Sequence, residues 1–130
     1  MYELLVKTRF AAAHQLREYD GLCANLHGHT WAVEVSVAGR ELDQNGMLMD
    51  FKKLKEEVQK VIENIDHRNL NDLPDFGPGG EAGNPTAENV AGYIFKQVKL
   101  LLASRPVSLK VTGVRVWESP DAAATYREEE

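Results

Sequence analysis

His27-Gly28-His29-Thr30-Trp31-Ala32-Val33-Glu34-Val35-Ser36-Val37 alternates with a period of two. His27, His29, Trp31, Val33, Val35 and Val37 therefore share one face of a strand, and Thr30, Ala32, Glu34 and Ser36 take the other. On the N-terminal side, residues 2 to 10 alternate too, with Tyr2, Leu4, Val6, Thr8 and Phe10 opposite Glu3, Leu5, Lys7 and Arg9. On the C-terminal side, Gly39, Asp43, Asn45 and Gly46 signal turns, after which Asp50 can cap a helix. Its apolar positions Phe51, Leu54, Val58, Val61, Ile62 and Ile65 recur at three and four residues. Residues 66 to 83 are rich in Asp, Asn, Pro and Gly, so an exposed loop is expected there and not a linker between domains. Asn84 or Thr86 caps a second helix, with Ala87, Val90, Ala91, Ile94, Val98, Leu101 and Leu102 as its buried stripe and Pro106 as its stop. Val107, Leu109 and Val111 alternate, Val114 and Val116 continue on the other parity, and Gly113 marks a bulge between them. That strand runs into Trp117 and Glu118. A short last strand through Ala124, Thr125 and Tyr126 precedes a frayed tail, Glu128-Glu129-Glu130. The expectation is an α+β fold of one domain over residues 1–130: a four-stranded antiparallel sheet with two helices on one face, in the order ββααββ.

Composition narrows the function classes. A chain of 130 residues and 14.5 kDa buries a core without staples, and a hydrophobic share of 43% beside a charged share of 27% suits a soluble domain with no bilayer span. A net charge of −5 and a pI near 5.4 argue against a polyanion-binding surface and leave a small phosphorylated ligand open. Cys23 is the single cysteine, so no intrachain disulfide forms. The N-terminus has no basic leader before its short apolar stretch and reads as a core strand, which points to the cytoplasm.

Residues two apart on a strand point the same way, roughly 6.5 to 7 Å apart, so His27 and His29 can converge on one ion. His14 follows Phe10 and Ala12 on the same parity, and an antiparallel neighbour brings it beside them. Three neutral imidazoles suit zinc and leave a fourth position for substrate or water. Taken alone, Cys23 admits three roles: a small buried thiol, a fourth metal ligand, or a thiolate base. Asp66-His67 reads either as a turn with a solvent-facing imidazole or, if the pair reaches Cys23, as a proton relay. Glu118, at the end of an apolar strand, is either a solvated acid or an acceptor for a flat heterocycle bearing an amino group and a ring N–H.

Five segments occur in order: Phe10-Ala11-Ala12-Ala13-His14, Cys23-Ala24-Asn25-Leu26-His27-Gly28-His29, Asp66-His67-Arg68-Asn69-Leu70-Asn71, Asn84-Pro85-Thr86-Ala87-Glu88 and Trp117-Glu118-Ser119. Together they resemble the 6-pyruvoyltetrahydropterin synthase family over nearly the whole chain. The short gap between Cys23 and His27 is more similar to the bacterial 6-carboxytetrahydropterin synthases of the queuosine pathway. The resemblance implies 7,8-dihydroneopterin triphosphate as substrate, with 6-carboxy-5,6,7,8-tetrahydropterin, acetaldehyde and triphosphate as products. It implies zinc on His14, His27 and His29, Cys23 as proton acceptor, Asp66 and His67 as its relay, Glu118 as pterin anchor and Thr86 near the pterin. It also implies the tunnelling fold and a homohexamer, a dimer of trimers, with sites at subunit contacts. Arg9, Lys52, Lys53 and Arg68 are candidates to meet the triphosphate. The resemblance leaves three competitors: a pyruvoyl-forming synthase, an aldolase acting on the dihydroneopterin side chain, and a noncatalytic zinc- or pterin-binding protein. The stretch from Gly77 to Gly83 is longer and richer in glycine than the family pattern, which leaves its part in the pocket open.

Overall fold

The computed structural model describes residues 1–105 and 108–129. The expected helix stop at Pro106, the strand start at Val107 and the tail residue Glu130 lie outside them. Strands β1 (Tyr2–His14) and β2 (His27–Gly39) form one long antiparallel ladder, in register from Tyr2 opposite Gly39 to His14 opposite His27. Helix α1 (Phe51–Ile62) is capped by Asp50, whose Oδ1 accepts from the Lys52 amide at 2.8 Å. Helix α2 (Ala87–Ala103) is capped by Thr86, whose Oγ1 accepts from the Asn89 amide at 3.1 Å. Between the two alternatives for this cap, Thr86 holds the position because Asn84 is engaged elsewhere.

Strand β4 (Lys110–Ser119) pairs with β2, and β5 (Ala122–Tyr126) pairs with β4, both antiparallel. The register of β2 against β4 slips where Ser36 faces Gly113 and Val37 faces Val111. The extra residue is Thr112, so the bulge falls beside Gly113 and sets Val114 and Val116 on the core-facing parity, opposite Val35 and Val33; a second shift, against β5, falls at Glu118 between Trp117 and Ser119.

The sheet departs from expectation. It has five strands and is mixed, in the order β3-β1-β2-β4-β5. The added strand, β3 (Arg68–Asn69), runs parallel to Ala12 and Ala13 of β1. Two residues are too few to show a period, so this strand is made by the return of the chain after α1 and not by a hydrophobic pattern. The order is therefore ββαβαββ and not ββααββ.

The segment after β3 is also not wholly an exposed loop. Leu70 and Phe76 are fully buried, and the amides of Ala82 and Gly83 both donate to the Asp75 carbonyl, at 2.9 and 3.1 Å. A side chain on Gly80 would collide with the carbonyls of Pro74 and Asp75, which is why this glycine-rich stretch folds back so tightly.

The core lies between one face of the sheet and the two helices. Trp31, Val33, Val35 and Val37 of β2 are fully buried against Leu54, Val58 and Ile62 of α1 and Val90, Ile94 and Val98 of α2. Phe51, expected on the buried stripe, is exposed at the first position of α1, before the helix packs onto the sheet through Leu54 and Val58. Glu57, buried on α1, is held by Arg105 at 2.6 Å and Lys60 at 3.2 Å. Burial alone would push its carboxyl upward, but the two cations outweigh that and hold it below the ordinary carboxylate value.

Candidate metal centre and active site

Parity and register bring the three histidines together. His14 ends β1 on the same face as Phe10 and Ala12, and the ladder sets it opposite His27, two residues from His29. The ring centroids lie 4.6 Å (His14–His27), 4.7 Å (His27–His29) and 5.1 Å (His14–His29) apart. Trp31 forms the floor, with its ring edge-on to His14 at 4.9 Å and to His29 at 5.4 Å. Its indole N–H donates to the Ala12 carbonyl at 3.2 Å and ties β2 to β1 beneath the rings.

Two of the rings are oriented by the backbone. His14 Nδ1 lies 2.6 Å from the Pro85 carbonyl, and His27 Nδ1 lies 2.7 Å from the Asn25 carbonyl. A carbonyl oxygen only accepts, so each Nδ1 carries the proton and each Nε2 presents its lone pair. This is how metal-ligating histidines are usually held. His14 is 1% exposed, and burial, the largest influence on it, draws its pKa below the ordinary value of 6.5, which keeps the ring neutral as a ligand must be. The Nε2 atoms of His14 and His29 are buried and make no hydrogen bond. Buried nitrogens without partners are costly, and an ion bound among them would satisfy both.

Donor atoms of His14, His27, His29 and Glu118 all lie within 4.8 Å of one another. The sequence offers Glu118 as a substrate anchor and gives no reason to place it beside the histidines. No parity in the sequence could have shown it, because the β4–β5 register shifts at Glu118 itself, between Trp117 and Ser119. Glu118 and His29 also line a cleft of about 670 Å³ together with Lys7, Arg9, Trp117 and Ser119. Of the basic residues considered for a triphosphate, Arg9 lies at this cleft, whereas Lys52 and Lys53 are exposed on α1 and Arg68 on β3.

Cys23 stands apart from the four-residue group. It is half-buried in a single 3₁₀ turn, Leu22–Ala24, within the β1–β2 connection, and its carbonyl accepts from the Leu16 amide at 2.8 Å. Two asparagines hold this connection against the rest of the fold. Asn71 takes both the N–H and the C=O of Gln15, at 2.8 and 2.9 Å, and Asn84 does the same for Arg17, at 3.0 and 3.3 Å. Each amide imitates one rung of a sheet. Both asparagines sit in segments quoted above, but nothing in their spacing marks them as clamps.

Asp66 and His67 sit on the far side of β1. Asp66 Oδ1 accepts from the Ala11 amide at 2.9 Å and lies 2.9 Å from His67 Nδ1. His67 has φ of 58°, in the left-handed region, and its amide donates to the Ala11 carbonyl at 2.6 Å. That turn lets neighbouring side chains meet instead of diverging. The amide of Ala11, the largest influence, and the adjacent imidazole hold the Asp66 carboxyl below its ordinary value. The His67 side chain is 82% exposed, and no hydrogen bond or ion pair joins the pair to Cys23 among the described residues. Thr86 spends its hydroxyl on the α2 cap, next to the Pro85 carbonyl that orients His14.

Comparison with known proteins agrees with this fold. The chain is 38% identical over 127 residues to a 6-carboxy-5,6,7,8-tetrahydropterin synthase of Bacillus subtilis, covering 97% of this chain and 85% of that one. It is 36% identical over 117 residues to a dihydroneopterin monophosphate aldolase of Pyrococcus furiosus, covering 88% of each. The structure superposes on a Caenorhabditis elegans 6-pyruvoyl tetrahydropterin synthase with a TM-score of 0.78 at 30% identity, covering 98% of this chain and 96% of that one. The profile of the 6-pyruvoyl tetrahydropterin synthase family matches residues 3–129, and the chain belongs to that family.

Proposed function

We propose that this protein is a zinc-dependent lyase that converts 7,8-dihydroneopterin triphosphate to 6-carboxy-5,6,7,8-tetrahydropterin, releasing acetaldehyde and triphosphate, in queuosine biosynthesis in the cytoplasm. The observation that carries the reading is the trio of imidazoles over Trp31, two of them fixed with Nδ1 protonated. His14, His27 and His29 would hold the zinc, which when bound supplies Lewis acidity toward the oxygens of the substrate side chain.

The remaining chemistry belongs to the chain. Glu118, at the rim of the cleft, accepts the amino and ring N–H donors of the pterin, and Thr86, next to the Pro85 carbonyl that orients His14, would lie near the ring. Lys7 and Arg9 meet the triphosphate in that cleft. Cys23 takes the proton from the side-chain carbon, and His67, steadied by Asp66, passes it on. The exposed position of His67 suits a site completed where two subunits meet, as in a homohexamer with the whole chain acting as one domain. No described helix is long and apolar enough to cross a membrane.

A second reading has its own support: one relative at 36% identity is named an aldolase on dihydroneopterin monophosphate. The zinc-loaded protein incubated with 7,8-dihydroneopterin triphosphate, with products identified by mass spectrometry, separates the readings. Carboxytetrahydropterin with acetaldehyde is the expected result. A pyruvoyl product or a product of aldol cleavage would move the specificity within the family, and zinc binding without turnover would leave a binding protein.

A further inference from the structure

Four groups point at one centre, and only three of them are imidazoles. Glu118 Oε1 lies 3.3 Å from His29 Nε2, close enough for an ion pair, yet that nitrogen makes no hydrogen bond. The two atoms are neighbours whose directions do not meet. If His29 were protonated and simply paired with Glu118, its Nε2–H would be aimed at the carboxylate. Tetrahedral zinc with bonds of about 2.0–2.1 Å to nitrogen and 2.0–2.2 Å to oxygen sets its ligand atoms roughly 3.3 to 3.4 Å apart. The separation of Glu118 from His29 is that of two ligands sharing an edge of such a site.

Three further facts agree. The donor atoms of all four residues cluster within 4.8 Å. His14, 1% exposed, keeps a second Nε2 without a partner at the same centre. Glu118 is placed by the β4 backbone, at a second register shift between Trp117 and Ser119 that brings its carboxylate to His29. We infer that Glu118 is the fourth ligand of the metal before substrate arrives, making the resting centre a closed three-histidine, one-carboxylate site. With a metal bound, the Glu118 carboxylate would serve either the metal or the N–H donors of the heterocycle, so a ring held by Glu118 would leave the three imidazoles with a position open to substrate. This inference rests on the zinc reading above.

The test needs no turnover. Zinc affinity of substrate-free protein is measured by competition with a chromophoric chelator for the native chain, E118Q and E118D. Each protein is also loaded with Co²⁺ and its visible spectrum recorded. Glutamine keeps the shape of the side chain and removes its charge, so E118Q is expected to weaken zinc binding about 10- to 100-fold and alter the cobalt spectrum. E118D, a carboxylate with shorter reach, should fall between the two, and it carries the test if E118Q fails to fold. Equal affinity and equal spectra in all three proteins would overturn the carboxylate assignment while leaving the three-histidine site standing. Failure of the native chain to bind zinc at one per chain would overturn both.

Discussion

The histidine centre and the Asp66–His67 pair are built by different means. His14, His27 and His29 owe their convergence to the longest ladder in the molecule, 13 residues on each strand, and rest on a fully buried tryptophan. Asp66 and His67 owe theirs to one left-handed turn at an edge, tied to β1 among the described residues through Ala11, with the His67 ring open to solvent. A centre defined by register is rigid and can bind an ion with little rearrangement. A pair defined by a turn is available to something arriving from outside. The four-residue cluster and the Asp66–His67 pair thus stand on separate supports, with Cys23 in a third place between strands.

The largest expected effect tests that separation. His29→Ala should lower zinc affinity by at least about 100-fold and abolish turnover, whereas His67→Ala should keep a full complement of metal and lose about 10²- to 10⁴-fold in turnover. Zinc loss in H67A would show the two regions to be coupled. Next comes the floor of the first region. Trp31→Ala removes a fully buried side chain and its bond to Ala12, and urea unfolding should show a loss of about 3–5 kcal/mol together with weaker metal binding. An unchanged zinc affinity in that variant would mean that the ladder alone holds the rings.

The smallest effect sharpens the second region. Asp66 is held below its ordinary pKa of 3.8 first by the Ala11 amide and then by His67. Because the folded value is the lower one, the stability it contributes is present above about pH 3.8 and is lost as pH falls through the folded value. Carboxyl-carbon NMR should find Asp66 titrating below 3.8, and titration at the ordinary value would remove the Ala11 bond from the account.

Much of this architecture is legible in the order of the residues. Strands β1, β2 and β4 declare themselves through alternation, the two helices through their caps and stripes, and the parity change around Gly113 reveals the bulge. His14, His27 and His29 are legible as a set for the same reason: periodicity makes residues that share a face visible in a single sequence. Asp66-His67 can be seen as neighbours, and a turn is required for them to meet, but its handedness cannot be read. Leu70 and Phe76 are hidden inside a segment whose composition is that of a surface loop, since composition averages over residues and two apolar anchors do not change the average.

Information carried by residue order is therefore local: which residues alternate, which cap, and which side chains of metal-binding type lie on one face. Tertiary structure alone decided the parallel pairing of Arg68 and Asn69 with β1, the asparagine clamps on the Cys23 connection, and the arrival of Glu118 beside His29. Each of these joins residues more than 50 positions apart. Periodicity says which way a side chain faces along its own strand, but which strand it meets, and in what register, is settled by packing the whole chain around one core.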